Sequence, residues 1–231
     1  MNRVLLLTSS IAGLFGSAED TPVQVAYITG GATSQTGTST TLTATGPDVP
    51  AGGVQIFDIA INSDSVTASL DGGGWSELTQ SDSSGEPNRL RRYVRAGPVS
   101  SGTVTVTLSS GVAALGFCYG MTGPALNSAD SISGYVDNPT APSVASVALA
   151  AQAVAIGPST YPRYANTQPS GATIASNVWK YTGTGGIGLC VVYENSGAGS
   201  VSIGSWVMWD PDADLAGQEL YRQIATVFEP A

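Results

Sequence analysis

GTVTVTLSSGVAALGFCY, residues 102–119, carries the first legible structural signal of this chain. Val104, Val106 and Leu108 alternate with Thr103, Thr105 and Thr107, the period-two pattern of a strand that turns one face to a core. VAALGFCY, 112–119, follows a short Ser-Gly turn and is an apolar run of the kind a buried strand presents. The same grammar recurs on both sides. Upstream it appears in VQVAYI (23–28), TSTTLTA (38–44), VQIFDIAIN (54–62), WSELTQ (75–80) and RLRRYVR (89–95). Downstream it appears in VASVALAAQAVAI (144–156), TIASNVWKYT (173–182), IGLCVVYE (187–194) and SVSIGSWVMW (200–209).

Turn signals separate these runs: DGGG at 71–74, SSGEPN at 83–88, AGPVSSG at 96–102 and NSGAGS at 195–200. The 29 Gly and 13 Pro suit short strands joined by tight turns, and 42% hydrophobic residues are enough to bury a core without disulfides. GPALNSADSISGYVDNPTAP, 123–142, reads as the longest loop-like connection. After Asp210, Leu215, Leu220 and Ile224 fit a helix, but ELYRQIATVF also alternates, and Thr226, Val227 and Phe228 favour a closing strand, which is the expectation. The expected fold is all-β, an antiparallel sandwich or closed barrel, with residues 19–231 forming one domain.

MNRVLLLTSSIAGLFGSAED imitates a secretory signal, with one Arg, an apolar stretch, and Gly16 and Ala18 at cleavage spacing. Thr8, Ser9 and Ser10 interrupt the apolar run after Leu7, so residues 1–18 are read as a retained N-terminal arm. Val4, Leu5, Leu6 and Leu7 either pad the domain's own core or dock on a neighbouring subunit, because an exposed apolar arm needs a cover. No run reaches the roughly eighteen continuous apolar residues of a membrane helix, so no membrane insertion is expected.

The charge balance excludes several chemistries. With 17 acidic and 8 basic residues, a net charge of −9, the chain lacks the broad basic face that phosphate-backbone binding requires, so no nucleic-acid partner is expected. The absence of His removes the usual triad base, zinc ligand and proton shuttle. Asp58, Asp64, Asp71 and Glu77 are scattered over strands and turns and nominate no acid–nucleophile pair, so the chain reads as a non-enzyme with no cofactor. DPDADL, 210–215, starts like a calcium loop, yet Gly217 and Glu219 fall out of register, leaving a solvated acidic turn. Cys118 and Cys190 lie in similar apolar runs and read as reduced core thiols; a bridge between them needs a separation that spacing does not supply.

Half of the basic residues crowd into NRLRRYVRAG, 88–97. In an extended chain Arg89, Arg91, Tyr93 and Arg95 point one way, and Leu90, Arg92 and Val94 the other. The first four are candidate interface residues, opposed to a solvated face or pairing within the domain. Arg92 sits on the side that should be apolar and must reach a carboxylate or carbonyl, or lie at an uncovered edge. Aromatic residues offer a glycan-binding alternative. Tyr161 and Tyr164 lie in GPSTYPRYANTQPSG, 157–171, a Pro-rich loop able to form a platform, and Trp209 lies an odd separation from Trp206, so one of the two faces outward. Against this, Trp and Tyr in all-β domains usually fill cores or interfaces.

The succession GGGWSELTQ, RLRRYVRAGPVSSGTVTVTLSS and GVAALGFCYGMTG resembles a β-sandwich module of tailed-bacteriophage virion proteins and related gene-transfer particles. Trp75, Tyr93, Arg95, Ala96, Val104, Val106, Leu115, Tyr119 and Gly120 stand at the module's characteristic places. VPAGGVQIFDIAIN and IATVFEPA are similar to its opening and closing strands, so the likeness spans most of residues 40–231. Arg91 and Arg92 depart from positions that are often neutral or apolar there, and residues 1–18 have no counterpart. The resemblance implies a jelly-roll-like sandwich and a structural role in the virion as a homo-oligomer in contact with other virion proteins. A glycan-binding adsorption module or secreted carbohydrate-binding domain, with host-surface glycan as partner, is the alternative.

Overall fold

The computed structural model describes residues 26–122 apart from 38 and 82–88, and beyond them the backbone of strands between 124 and 230 together with the Leu189 side chain. The arm 1–18, with Val4 to Leu7, lies outside the described residues. Among the described residues nine strands occupy the span 26–122: β1 (Ala26–Ile28), β2 (Ala32–Thr36), β3 (Thr41–Gly46), β4 (Val54–Ile61), β5 (Ala68–Leu70), β6 (Ser76–Ser81), β7 (Arg89–Ala96), β8 (Gly102–Leu108) and β9 (Ala113–Thr122). They form two antiparallel sheets. The larger has the order β1-β9-β4-β7-β6, with β2 also on β9; the smaller is β3-β8-β5. The β4–β5, β5–β6, β7–β8 and β8–β9 connections all pass from one sheet to the other, and the two sheets pack face to face as a β-sandwich. No helix occurs among the described residues.

The alternation of β8 becomes a one-sided strand. Val104, Val106 and Leu108 are buried against the larger sheet, while Thr103 and Thr107 face solvent. With Leu42, Ala44 and Val66 they meet Phe57, Ile59, Ile61, Tyr93, Ala114 and Cys118. The β9 run is buried from Ala113 to Met121 for a different reason. Its other face, with Leu115, Phe117, Tyr119 and Met121, joins Ile56, Ala60, Leu90 and Leu189 in a second core. Leu189 belongs to the chain's later part, so the larger sheet is a middle layer covered on both sides. Each such fully buried apolar side chain contributes roughly 1.5–3 kcal/mol. Within the larger sheet Gly116 leaves room for the Phe57 ring of the adjacent strand, because a Cβ there would lie 2.7 Å from it.

The later part supplies β10 (Pro124–Val136), β11 (Ser146–Leu149), β12 (Val154–Tyr161), β13 (Tyr164–Thr167), β14 (Thr173–Tyr181), β15 (Gly186–Glu194), β16 (Gly199–Ser202), β17 (Val207–Trp209) and β18 (Glu219–Pro230). A sheet of order β10-β18-β12-β15-β14 provides the third layer, and β11-β16 and β13-β17 form two ribbons. The closing strand expected after Asp210 is β18.

Three expectations are corrected. The loop read at 123–142 contains β10, which pairs with β18 from Pro124↔Pro230 to Val136↔Glu219. Its Asn, Ser and Asp residues have poor strand propensity, and the ladder to a distant strand overrides it. The single strands read at 144–156 and 200–209 are each divided, into β11 and β12 and into β16 and β17. The Pro-rich stretch 157–171, read as a loop, includes the end of β12 and all of β13. Pro158, which has no N–H to donate, coincides with the gap in the β12–β18 register between Ile156↔Thr226 and Ser159↔Gln223, while on the other side it keeps its place opposite Val191 of β15.

Candidate functional site

Chemistry concentrates on β7, an interior strand whose ladder is completed by β4 on one side and β6 on the other. Register sets its partners: Arg92 is opposite Asp58, and Asp58 faces Phe117 on the far side, two residues from Tyr119. All three polar side chains therefore project from the same face of the middle sheet. Arg92 Nε donates to Asp58 Oδ1 at 2.7 Å and Nη2 donates to Oδ2 at 3.0 Å, a bidentate pair with both side chains fully buried. The Tyr119 hydroxyl donates to Asp58 Oδ2 at 2.7 Å and accepts from Arg92 Nη2 at 3.0 Å, closing a triangle. Phe117 stacks on Tyr119 at 5.2 Å and Tyr27 lies 5.8 Å from it, so the polar triangle is walled by rings. Burial works against the charged guanidinium, but the Asp58 charge and the Tyr119 contact prevail and hold the Arg92 pKa above its ordinary value. Burial, reinforced by Asp58, pushes the Tyr119 phenol well up. Arg92 thus reaches a carboxylate inside its own chain.

The opposite face of β7 is half-buried. Arg91 Nη1 donates to Glu77 Oε1 and Oε2 at 3.1 and 3.0 Å, with side chains 12% and 34% exposed. Tyr93 is buried in the inter-sheet core and its hydroxyl donates to the Ala68 carbonyl at 3.4 Å; burial and then Glu77 raise its pKa. The Arg95 guanidinium lies over the Trp75 ring, 4.5 Å from its centroid, and its Nε donates to Gln55 Oε1 at 2.8 Å. Gln55 is fully buried and donates from Nε2 to the Pro47 carbonyl at 2.8 Å. Trp75 is half-buried, edge-on to Phe57, with its indole N–H donating to the Asp71 carbonyl at 2.9 Å. Arg89 is half-buried at the start of the strand.

Compared with known proteins, this chain matches no family model, no curated protein and no solved structure. Its chemistry therefore rests on its own side chains. Cys118 is a free thiol buried in the inter-sheet core, and burial pushes its pKa up to about 12, so at neutral pH it is neither nucleophile nor ligand. Among the described residues no cluster of three or more Asp, Glu, Cys or His side chains is placed to hold a metal. The acidic turn 210–215 lies outside the described residues.

The four scattered acids take separate places. Asp58 is in the buried triangle, Glu77 on Arg91, and Asp71 accepts the Thr105 N–H at 2.8 Å through Oδ1, while Asp64 is exposed. Of the candidate glycan residues, Tyr161 ends β12, and Tyr164 and Trp209 are direct cross-strand partners in the β13–β17 ribbon. Trp206 lies outside the described residues. Cys190 stands on β15, opposite Ser159 and Asn177. The buried triangle was half visible in the sequence: an acid inside VQIFDIAIN and an arginine between Leu90 and Val94 each break an apolar face, but nothing in either stretch says that they answer one another.

Proposed function

We propose that this chain is a structural protein of a bacteriophage virion, a head-decoration, spike-base or tail-associated component that acts by homo-oligomeric assembly. The observation that carries the reading is the resemblance of residues 75–120 to the jelly-roll-like virion module, with Trp75, Tyr93, Arg95, Val104, Val106, Leu115, Tyr119 and Gly120 at its characteristic positions. The physical role of those residues supports it. Trp75 and Arg95 stack, Tyr93 and Tyr119 are buried on opposite faces of one sheet, and Val104 and Val106 fill the space between sheets, which is a scaffold's use of its side chains. The arm with Val4, Leu5, Leu6 and Leu7 supplies assembly contacts in this reading. Mass spectrometry of purified particles tests it: the protein is expected at a fixed stoichiometric copy number, and deletion of residues 1–18 is expected to leave a folded domain that no longer incorporates. Absence from particles overturns the reading.

A glycan-binding adsorption module is the second reading, favoured by the register that puts Tyr164 opposite Trp209 with Tyr161 nearby in sequence. A glycan array separates the two: saturable binding to a defined saccharide, lost in Trp209→Ala, with no particle association, favours the adsorption module.

A further inference from the structure

Arg95 differs from its neighbours on β7. Arg91 has Glu77 and Arg92 has Asp58, whereas Arg95 has no ion-pair partner among the described residues; its one hydrogen bond there runs from Nε to Gln55. The guanidinium is nonetheless held in place, seated on Trp75 and tied through Gln55 to the Pro47 carbonyl. An arginine ordered in advance loses little freedom on capturing a planar anion, and its terminal nitrogens match a carboxylate edge. Its terminal nitrogens make no hydrogen bond among the described residues and are not sealed from solvent. Gly72, Gly73 and Gly74 are all exposed with φ of 79°, 68° and 72°, a left-handed run that only glycine adopts without strain. A Cβ on Gly72 would lie 2.9 Å from Arg95 Nη1, so the loop runs along one side of the guanidinium. Any other residue at 72 would crowd the guanidinium.

We propose that the corner formed by Arg95, Trp75 and Gly72 receives a carboxylate from a second copy of this chain, and that Asp48 of that copy supplies it. The proposal rests on the assembly reading above. Asp48 is exposed, has no ion-pair partner among the described residues, and directly follows Pro47, whose carbonyl holds Gln55. Asp48 and Arg95 therefore lie at the same end of the sandwich. A two-fold contact requires one patch to carry both members of each pair, and this end does.

The test is sedimentation velocity at low salt on the full-length protein and on Arg95→Gln, Asp48→Asn and Arg91→Gln, with an equimolar mixture of Arg95→Asp and Asp48→Arg. Alongside it, the Arg95 Nε–H resonance of the wild type is followed during titration with sodium acetate. The wild type is expected to self-associate. Arg95→Gln and Asp48→Asn each weaken association about tenfold or more, and Arg91→Gln leaves it unchanged because its carboxylate lies in its own chain. The charge-reversed proteins associate when mixed and not separately, and acetate shifts the Arg95 resonance saturably. Undiminished association of Arg95→Gln, with a resonance indifferent to acetate, overturns the site and leaves the assembly reading standing. A monomeric wild type whose Arg95 still responds to acetate overturns the second copy as occupant. Particles lacking the protein overturn the assembly reading while the acetate response continues to report on the site.

Discussion

The two faces of β7 hold the same residue type in opposite circumstances. On one, Arg92 is fully buried, bidentate to Asp58 and bonded to Tyr119, with aromatic rings around it. On the other, Arg91 and Arg95 are half-exposed, one on Glu77 and one on Trp75. The distances are alike, 2.7 to 3.1 Å, so geometry does not rank them; desolvation does. Removing one member of the buried pair strands a charge where water cannot reach it, whereas removing one member of the exposed pair hands its partner to solvent. The buried pair is thus intolerant of single losses without being a large net source of stability.

The sharpest way to break this contrast is Arg92→Met. It is expected to destabilise by about 3–5 kcal/mol in urea unfolding, through an unpaired Asp58, and the double variant Arg92→Met with Asp58→Leu should recover most of that loss. A loss below about 1 kcal/mol for the single variant would show that water reaches Asp58. Trp75→Ala comes next. A half-buried ring that also seats Arg95 is expected to cost about 2–3 kcal/mol, below the 3–5 kcal/mol of a fully buried one.

Tyr119→Phe probes the third corner of the triangle and is expected to cost about 1–2 kcal/mol at neutral pH by removing a hydrogen bond to a charged acceptor. Alkaline titration sharpens the same point. Cys118, Tyr119 and Tyr93 all have pKa values raised by burial, so the folded protein keeps protons that the unfolded chain releases. Their contribution is complete below the unfolded values and is lost as pH rises through the folded ones. For Cys118 the window runs from pH 9.0 to about 12, and the fall in stability across it should be shallower in Cys118→Ala. Glu77→Gln is expected to have the smallest effect, at most about 1 kcal/mol and vanishing in high salt, because the Arg91 pair is partly solvated. An Arg91 effect as large as that of Arg92 would erase the distinction between the faces.

The arginine-rich strand shows what was legible. Its alternation assigned Arg92 to the apolar face, which is where the side chain lies, and named a carboxylate among its possible partners. Which carboxylate it is depends on β4 pairing with β7 at Asp58↔Arg92, a register that neither segment encodes alone. On the other face the cluster of like charges is plain in the sequence, whereas Gln55 and Pro47, which hold Arg95, carry no distinguishing signal there.

The sequence by itself determined the class of element. Val104, Val106 and Leu108 make a one-sided strand of β8, the apolar run makes a buried strand of β9, and DGGG and AGPVSSG end strands where Gly and Pro set the backbone. Those properties belong to residues within a few positions of one another. Only the tertiary structure decided what covers each face of β9, that the polar stretch 124–136 is a strand, and that Asp58 meets Arg92 34 residues away and Tyr119 61 residues away. A strand's own side chains fix its two faces, but the identity of what covers each face, and the partner that completes its ladder, come from segments distant in the chain whose pairing is chosen by the burial of the whole.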